Sequence, residues 1–154
     1  MPQGRGIFAD VSVRDHFGIM RGQAARGRPA ESVEAATEEA LKLFPELRRA
    51  WKKRAGELSG GQQQQLSLSR ALLYKVRVLV FDEPSVGLSP RLVGETMEFI
   101  SRLKTAGRSI LLIEQNVSRA LKEADLVCAL KRGRMVASDL DPAELSGDKL
   151  AELF

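Results

Sequence analysis

Short apolar runs alternate with amphipathic repeats in the second half of the chain. The runs Val78–Phe81 and Ile110–Ile113 have the length of buried strands, and apolar positions at helical spacing between them predict a helix from about Pro90 to Ala106. Two further runs, Leu126–Leu130 and Met135–Ala137, flank a glycine-containing turn and predict a hairpin. Continuous apolar strands separated by helices are typical of an α/β fold whose parallel sheet is covered on both faces.

The first half of the chain is predicted to be mostly helical. Residues 1–10 contain two glycines and are expected to form a loop, while residues from about Val11 to Arg54 have the pattern of helices with charged outer faces. Another helix is predicted from Gly60 to Tyr74, since glutamine and leucine favour helix there. Three places carry glycine or proline and are expected to interrupt the earlier helices: Gly22, residues 27–29 and Pro45.

The composition is that of an ordinary globular domain. The chain has 154 residues, of which 44% are hydrophobic and 29% charged, so one domain with a real core is expected. No apolar run approaches the roughly 20 residues that span a bilayer, and the N-terminal stretch lacks the apolar part of a signal peptide. A cytoplasmic protein is therefore expected. The single cysteine, Cys128, excludes an internal disulfide and is expected to be a small buried hydrophobe.

The net charge of +4 is unevenly distributed along the chain. Residues 1–56 contain 11 Lys and Arg against 7 Asp and Glu, whereas residues 57–154 contain 13 of each. The excess includes a cluster at 48–54, but no aromatic residues accompany it as a stacking platform for bases. A solvated helix face or a protein-docking surface is thus expected, and nucleic acid is an unlikely partner.

A glycine-rich turn at the start of a predicted helix could bind phosphate. Gly60 and Gly61 allow the backbone to approach an anion, and the helix N-terminus supplies unpaired N–H groups and a positive dipole end. Ser59 and Gln62 add side chains that can hydrogen-bond. A turn of this composition is weak evidence by itself. Its position about 20 residues before an apolar strand that ends in two carboxylates makes it informative.

The two carboxylates, Asp82 and Glu83, come directly after the apolar strand. Side chains at the carboxyl end of a parallel strand point into the usual ligand crevice of such a sheet. One carboxylate there can hold Mg²⁺ through its water shell, and its neighbour can orient or deprotonate an attacking water. The following segment, Pro84–Pro90, is predicted to be a tight loop that fixes the exit of the strand.

Together these segments resemble the ATP-binding cassette (ABC) ATPases. Leu58–Gln62 is similar to the signature motif of that family, and Val78–Pro84 is similar to its Walker B strand. The other matches follow in chain order: Pro2–Phe8 resembles the Q-loop region, Ser85–Pro90 the D-loop and Ile113–Val117 the switch region. The sequences PQGRGIF, GLSP and IEQNV resemble one branch, the ATPase subunits of branched-chain amino-acid and urea importers. Glutamine at the switch position is frequent in that branch.

The resemblance implies a role for each matching residue. In the family, two ATPase subunits close head to tail around two ATP molecules, and each signature loop contacts the ATP that its partner holds. The trans contacts would come from Ser59, Gly60, Gly61 and Gln62. The resemblance further implies that Asp82 supports Mg²⁺, that Gln3 joins the Mg²⁺ and water to the transporter interface, that Glu83 polarises the attacking water and that Gln115 contacts the γ-phosphate.

The family's Walker A motif is absent from this sequence. No G-x-x-x-x-G-K-[ST] pattern and no Gly-Lys pair occurs. The resemblance therefore implies a partial P-loop NTPase fold in three parts, namely a Q-loop segment (1–10), a helical subdomain with the signature motif (11–75) and a core remnant with Walker B, D-loop and switch region (76–154). We expect the chain alone to be an inactive ATPase, because the signature loop supplies only part of the γ-phosphate cage.

The function implied is ATP hydrolysis that drives an importer, with branched-chain amino acids as the expected solute. The implied partners are a second ATPase subunit and a membrane permease contacted through the Q-loop and residues of about 10–56, which would place the protein on the inner face of the cell membrane. Other interpretations stay open: a non-catalytic module that pairs with a complete ATPase, a truncated remnant without activity, and a non-transport ABC protein that acts on DNA or in translation.

Overall fold

The computed structural model describes residues 6–26, 29–74 and 76–145. The chain divides into two compact units, Met1–Ile113 and Glu114–Phe154, each with its own internal contacts. In the first unit the helices are α1 (Val13–Ala24), α2 (Ala30–Leu43), α3 (Pro45–Arg49), a 3₁₀ turn (Ala55–Glu57), α4 (Gly60–Leu73) and α5 (Pro90–Thr105), and the strands are β1 (Val78–Asp82) and β2 (Ser109–Ile113). The second unit contains α6 (Val117–Glu123), β3 (Val127–Lys131), β4 (Arg134–Leu140) and a 3₁₀ turn (Pro142–Glu144).

Helix α4 lies at the centre of the first unit. It contacts α1, α2 and α3, and its Leu66, Leu68 and Leu73 are almost fully buried. Its buried residues belong to the same core as Phe81 of β1 and Ile100 of α5. The turn that opens α4 is therefore carried by a helix that is packed on several sides.

Most helices and strands lie where the hydrophobic pattern predicts them, but the predicted break at Gly22 is wrong. Helix α1 continues through Gly22 to Ala24. A glycine inside a helix costs only about 1 kcal/mol relative to alanine, and the buried side chains of Met20 and Ala24 on either side of it hold this turn against the core. Tertiary packing therefore overrides the local preference.

Strands β1 and β2 form the predicted parallel pair. Leu79 lies opposite Ile110 and Phe81 opposite Leu112, and these four side chains point to the core that contains α4 and α5. The connection through α5 has the form that parallel strands require. The pair thus places the carboxyl ends of both strands, Asp82 and Ile113, side by side.

The other face of this strand pair is open, which corrects the prediction of a sheet covered on both faces. Val78, Val80, Leu111 and Ile113 alternate with the core-facing residues and have 64%, 46%, 56% and 46% of their surface exposed. The core contacts of the described helices are with the other face, which carries Leu79, Phe81, Ile110 and Leu112. The sequence pattern is that of a strand pair buried on both sides, whereas the described part of the chain buries one side.

A buried hydrogen bond joins α4 to the exit of β1. Gln64 Nε2 donates to the carbonyl oxygen of Pro84 over 2.9 Å, and Gln64 is 9% exposed. The next residue, Gln65, is different, because its buried Oε1 accepts no hydrogen bond from the part of the chain that the structure describes. Of these two neighbouring glutamines, Gln64 therefore stabilises the fold through a buried hydrogen bond, whereas Gln65 buries an oxygen without one.

The second unit consists mainly of the predicted hairpin, in which β3 and β4 pair antiparallel. Lys131 and Arg134 pair at the turn, and Gly133 has a φ of +75°. Cys128 is exposed on β3, so its expected burial is wrong. A lone hairpin buries few of its side chains, and on β3 only Ala129 is buried. Among the described residues, none of the helices combines the length and the apolar character that crossing a membrane needs.

We predict that the two faces of β1 differ strongly in their contribution to stability. Replacing Phe81, which is 1% exposed, with alanine should lower the free energy of unfolding by about 3–5 kcal/mol, because it leaves a cavity. The same change at Val80 on the open face should cost less than about 1 kcal/mol. Urea denaturation of both variants measures the difference, and equal losses would show that the open face is covered in solution.

We also predict that substitutions of two adjacent glutamines differ in their effect on stability. Gln64→Leu should lower the free energy of unfolding by about 1–3 kcal/mol, because the buried carbonyl of Pro84 loses its donor. Gln65→Leu, the matched control on the same helix, should be neutral or slightly stabilising, since it removes a buried oxygen that lacks a partner. Thermal and urea unfolding of the two variants tests this, and a larger loss for Gln65→Leu would contradict it.

Candidate functional site

The turn that opens α4 is a reciprocal cap. The backbone N–H of Gln62 donates to Ser59 Oγ over 3.3 Å, and the backbone N–H of Ser59 donates to Gln62 Oε1 over 3.0 Å. This capping box stabilises the start of the helix. Ser59 and Gly60 are exposed, whereas Gly61 is buried. The first turn of a helix leaves backbone N–H groups without intrahelical acceptors at the positive end of the helix dipole, which suits an anion.

Gly61 is required by close packing. A Cβ at this position would lie 2.3 Å from Leu92 Cδ1, and the residue is buried. A larger residue at this position would require the Leu92 side chain to move. The glycine thus lets the signature loop, residues 58–62, lie directly on the helix that follows the carboxylates.

The two carboxylates lie at the end of β1 in different backbone conformations. Asp82 is the last strand residue and is exposed. Glu83 is half-buried and has a φ of +46°, in the left-handed region that non-glycine residues seldom adopt, while its N–H donates to Ile113 O over 2.9 Å. Strained backbone of this kind concentrates at functional sites. The chain reverses sharply here, so adjacent carboxylates do not follow the simple alternation of a strand.

The segment after Glu83 is the tight loop that the sequence predicts. Val86 N–H donates to Glu83 O and Leu88 N–H donates to Ser85 O, both over 3.2 Å, and Gly87 has a φ of +71°. The Gln64–Pro84 hydrogen bond fixes the first part of this loop to α4. The structure therefore brings the signature loop and the Walker B exit onto one connected piece of the first unit.

A pocket of about 10 Å³ lies beside this junction and is lined by residues that include Gly61, Gln64, Leu88 and Leu92. Asp82 and Glu83 do not line it. Small-molecule sites usually occupy about 300–1,000 Å³, so this pocket is too small for a nucleotide. The candidate phosphate contacts are instead on the exposed surface of the first turn of α4.

The carboxylates at the end of β1 could hold Mg²⁺ only together with ligands from another molecule. Asp82 presents an exposed carboxylate, the hard oxygen ligand that Mg²⁺ prefers. Within the described ranges, no three His, Cys, Asp or Glu side chains are grouped closely enough to hold a metal by themselves. Magnesium bound by one or two carboxylates usually takes its remaining ligands from phosphates and water, which is the arrangement that a nucleotide site would provide.

Two of the predicted site residues stay predictions for different reasons. Gln3 lies outside the described residues. Gln115 is exposed at the beginning of the second unit, where its N–H donates to Glu114 Oε2 over 3.1 Å. The roles assigned to the remaining candidates, Ser59, Gly60, Gly61, Gln62, Asp82 and Glu83, likewise stay predictions.

The basic cluster of the first third is partly paired on the surface. Arg48 forms an ion pair with Glu38, and Arg49 with Glu46, and all four side chains are largely exposed. Exposed pairs contribute only about 0–1 kcal/mol. This arrangement favours a solvated helix face over a dedicated nucleic-acid site.

Two residues that connect the site to the fold, Gln64 and His16, are not among the site residues predicted from the sequence. Gln64 falls on the buried stripe of α4 with Leu68 and Ala71, at helical spacing that was visible in the sequence. His16 is 3% exposed, and its position between Val13 and Met20 on α1 carries the same signal. A polar residue on an apolar stripe is the pattern that could have identified both.

Comparisons with known proteins agree with this geometry. The sequence profile of the ABC transporter family matches residues 1–86. The high-affinity branched-chain amino acid transport ATP-binding protein BraG of Pseudomonas aeruginosa is 34% identical over 154 residues, which is 100% of this chain and 64% of that protein. A probable branched-chain amino acid transport ATP-binding protein, LivF of Archaeoglobus fulgidus, is 36% identical over 99% of this chain and 64% of its own length. The chain thus spans just under two thirds of these relatives.

Solved structures show the same fold. The ATP-binding subunit of an ABC transporter superposes with a TM-score of 0.76 at 23% identity, over 89% of this chain and 56% of that chain. An ATP-binding cassette of an ABC transporter in its ADP conformation gives a TM-score of 0.69 at 26% identity, over 99% of this chain and 65% of the other. The predicted partial P-loop NTPase fold is confirmed, and the chain belongs to the ABC transporter family as a partial ABC ATPase.

Proposed function

We propose that this chain supplies the signature loop and the Walker B carboxylates of an importer ATPase for branched-chain amino acids. The observation that carries the proposal is the hydrogen bond from Gln64 to Pro84, which joins the helix that begins with exposed Gly60 and buried Gly61 to the strand exit that carries Asp82 and Glu83. The solute class is proposed because BraG and LivF are named for branched-chain amino acid transport.

The signature loop would act on a nucleotide held by a second subunit. Ser59, Gly60, Gly61 and Gln62 form a capped helix start whose first two residues are exposed, and a helix N-terminus of this kind complements a phosphate presented by a partner. A head-to-tail dimer brings this surface to the partner's γ-phosphate. Backbone donors cost little to organise here, because the capping box and the packing of Gly61 already hold the turn.

The Walker B end would serve the chemistry of hydrolysis. Asp82 would hold Mg²⁺ together with phosphate oxygens, and the bound cation would offset charge on the transferred phosphoryl group. Glu83 would orient the attacking water and accept its proton. Gln115 would contact the γ-phosphate, and Gln3 would join this centre to the permease. These two roles rest on the motif resemblance.

The chain by itself is proposed to hydrolyse no ATP. The sequence contains no loop of the G-x-x-x-x-G-K-[ST] type to wrap the β- and γ-phosphates, and the signature loop contacts only the outer face of the terminal phosphate. Its proposed setting is the cytoplasmic face of a membrane, with residues of about 10–56 against a permease. In this setting the chain completes a nucleotide site that another subunit begins.

We predict ATP-dependent binding of this chain to a complete ABC ATPase subunit, such as BraG with its hydrolytic glutamate replaced. Sedimentation of the mixture with Mg²⁺-ATP should show a one-to-one complex that is absent with ADP. Ser59→Arg should weaken the complex at least about tenfold, because a bulky cation occupies the loop that must close on the phosphate. Thr105→Arg adds the same charge at the exposed end of α5 and should leave binding unchanged.

Failure of the complex to form with ATP would contradict the trans half-site, as would equal binding by Ser59→Arg and Thr105→Arg. Binding that requires DNA and falls with salt would instead favour the nucleic-acid interpretation.

We further predict that the isolated chain releases no phosphate from Mg²⁺-ATP above the background of a Glu83→Gln preparation. The reason is the missing β-phosphate grip, without which nucleotide cannot be positioned for in-line attack. A coupled phosphate-release assay with both proteins purified in parallel measures this. Hydrolysis that is clear in the native chain and lost in Glu83→Gln would show that the chain is a complete catalyst.

A further inference from the structure

We propose that His16 is a positioning residue that fixes residues 6–12, the exit segment, to the helical layer through both of its ring nitrogens. The exit segment overlaps the end of Pro2–Phe8, the residues that resemble the Q-loop region, and continues to Ser12. Its functional meaning rests on the function proposed above, but its geometry and its test do not.

The hydrogen bonds of the ring determine its protonation. The backbone N–H of Phe8 points at Nε2 over 2.9 Å, and Nδ1 lies 2.9 Å from the carbonyl oxygen of Ser12. An amide N–H can only donate, so Nε2 must carry a lone pair, and a carbonyl can only accept, so Nδ1 must carry the proton. The contacts therefore specify a neutral ring with its proton on Nδ1. A cationic ring would lose the hydrogen bond from Phe8, and the other tautomer would lose both hydrogen bonds.

Phe8 depends on this contact for its position. Its side chain is 59% exposed, so burial of the side chain contributes little to holding the residue in place. His16 is 3% exposed, and the two rings lie 5.9 Å apart between centroids at a tilt of 34°. The buried imidazole thus presents a fixed acceptor to an otherwise exposed residue. A leucine would fill the same space on α1 but could not accept the Phe8 N–H.

The exit segment also pairs with the residues that lead into the signature loop. Gly56 N–H donates to Ala9 O over 2.8 Å, and Ala55 N–H donates to Val11 O over 2.9 Å. Ala55 and Gly56 begin the 3₁₀ turn that ends at Glu57, directly before the signature loop. His16 therefore holds the segment from the α1 side while the 3₁₀ turn holds it from the other. A displacement of the Q-loop region would then move the 3₁₀ turn and, through it, Ser59, because the exit segment is hydrogen-bonded on both sides.

The first test reads the tautomer of His16, which is the single histidine of the sequence and so needs no assignment. A long-range ¹H–¹⁵N spectrum of the labelled chain at neutral pH should show protonated Nδ1 and unprotonated Nε2. This is the tautomer that free histidine favours less in water. Protonated Nε2, or shifts averaged between the two tautomers, would overturn the proposal, because a histidine that only fills space has no reason to select Nδ1–H.

The second test measures hydrogen exchange of the Phe8 amide in three variants. His16→Leu should accelerate exchange about five- to tenfold, as expected for the loss of one hydrogen bond, and the amides of Ala55 and Gly56 should follow in the same direction. His16→Gln places an oxygen acceptor near the position of Nε2 and should return Phe8 to within about twofold of the native rate. Met20→Leu is the matched control, since it changes another buried residue on the same face of α1 at nearly constant volume.

Each outcome of the second test has a definite meaning. Unchanged Phe8 exchange in His16→Leu, or equal acceleration by Met20→Leu, would overturn the proposal. If His16→Leu does not fold, the tautomer and the His16→Gln rate decide the matter by themselves. Neither readout involves ATP, so a chain that fails to bind a complete ATPase while keeping the Nδ1–H tautomer and the Phe8 protection would refute the proposed function and leave the role of His16 intact.

Discussion

The buried hydrogen bond between Gln64 Nε2 and the carbonyl oxygen of Pro84 connects the two halves of the candidate site. One end is on the helix whose first turn carries Ser59 and Gly61, and the other end follows Glu83 by one residue. A carbonyl buried at this depth needs a donor, and the only route for α4 to supply one is to lie close to the exit of β1. The absence of a side chain at Gly61 permits that approach, because a Cβ would lie against Leu92.

This junction also bears on how the candidate site is held in place. The proposed phosphate contacts are backbone N–H groups, which keep their direction only as well as the helix start that carries them. The capping box of Ser59 and Gln62 and the burial of α4 restrain that start, while the left-handed conformation of Glu83 is restrained by its hydrogen bond to Ile113 O. Preorganised donors lose little entropy when an anion arrives, so the arrangement suits recognition of a phosphate presented from outside.

The open face of the strand pair is a different type of surface. Val78, Val80, Leu111 and Ile113 form a contiguous apolar face by the strand register, and contiguous apolar surface is more typical of an interface than of free surface. In the exit segment an exposed apolar residue is held by a polar contact instead, since the backbone N–H of Phe8 donates to the buried ring of His16. The first unit therefore combines buried polar contacts at His16 and Gln64 with an exposed apolar face on β1 and β2.

The sequence by itself determined the helices and strands, the hairpin and the two motifs of the candidate site. Helical spacing identified α5 within one residue at its end, and continuous apolar runs identified β1 and β2, because periodicity records which side chains must leave water. The resemblance of its motifs to those of ABC ATPases indicated the family, which the comparisons confirm. Tertiary structure decided where a helix continues, which side chains are exposed and which polar groups form hydrogen bonds. Continuation of α1 through Gly22 and exposure of Cys128 depend on neighbours that are distant in the sequence. The hydrogen bonds between Phe8 and His16 and between Gln64 and Pro84 also depend on tertiary structure. A buried polar group needs a hydrogen-bond partner, but the packing of the chain, and not the local sequence, decides which group that partner is.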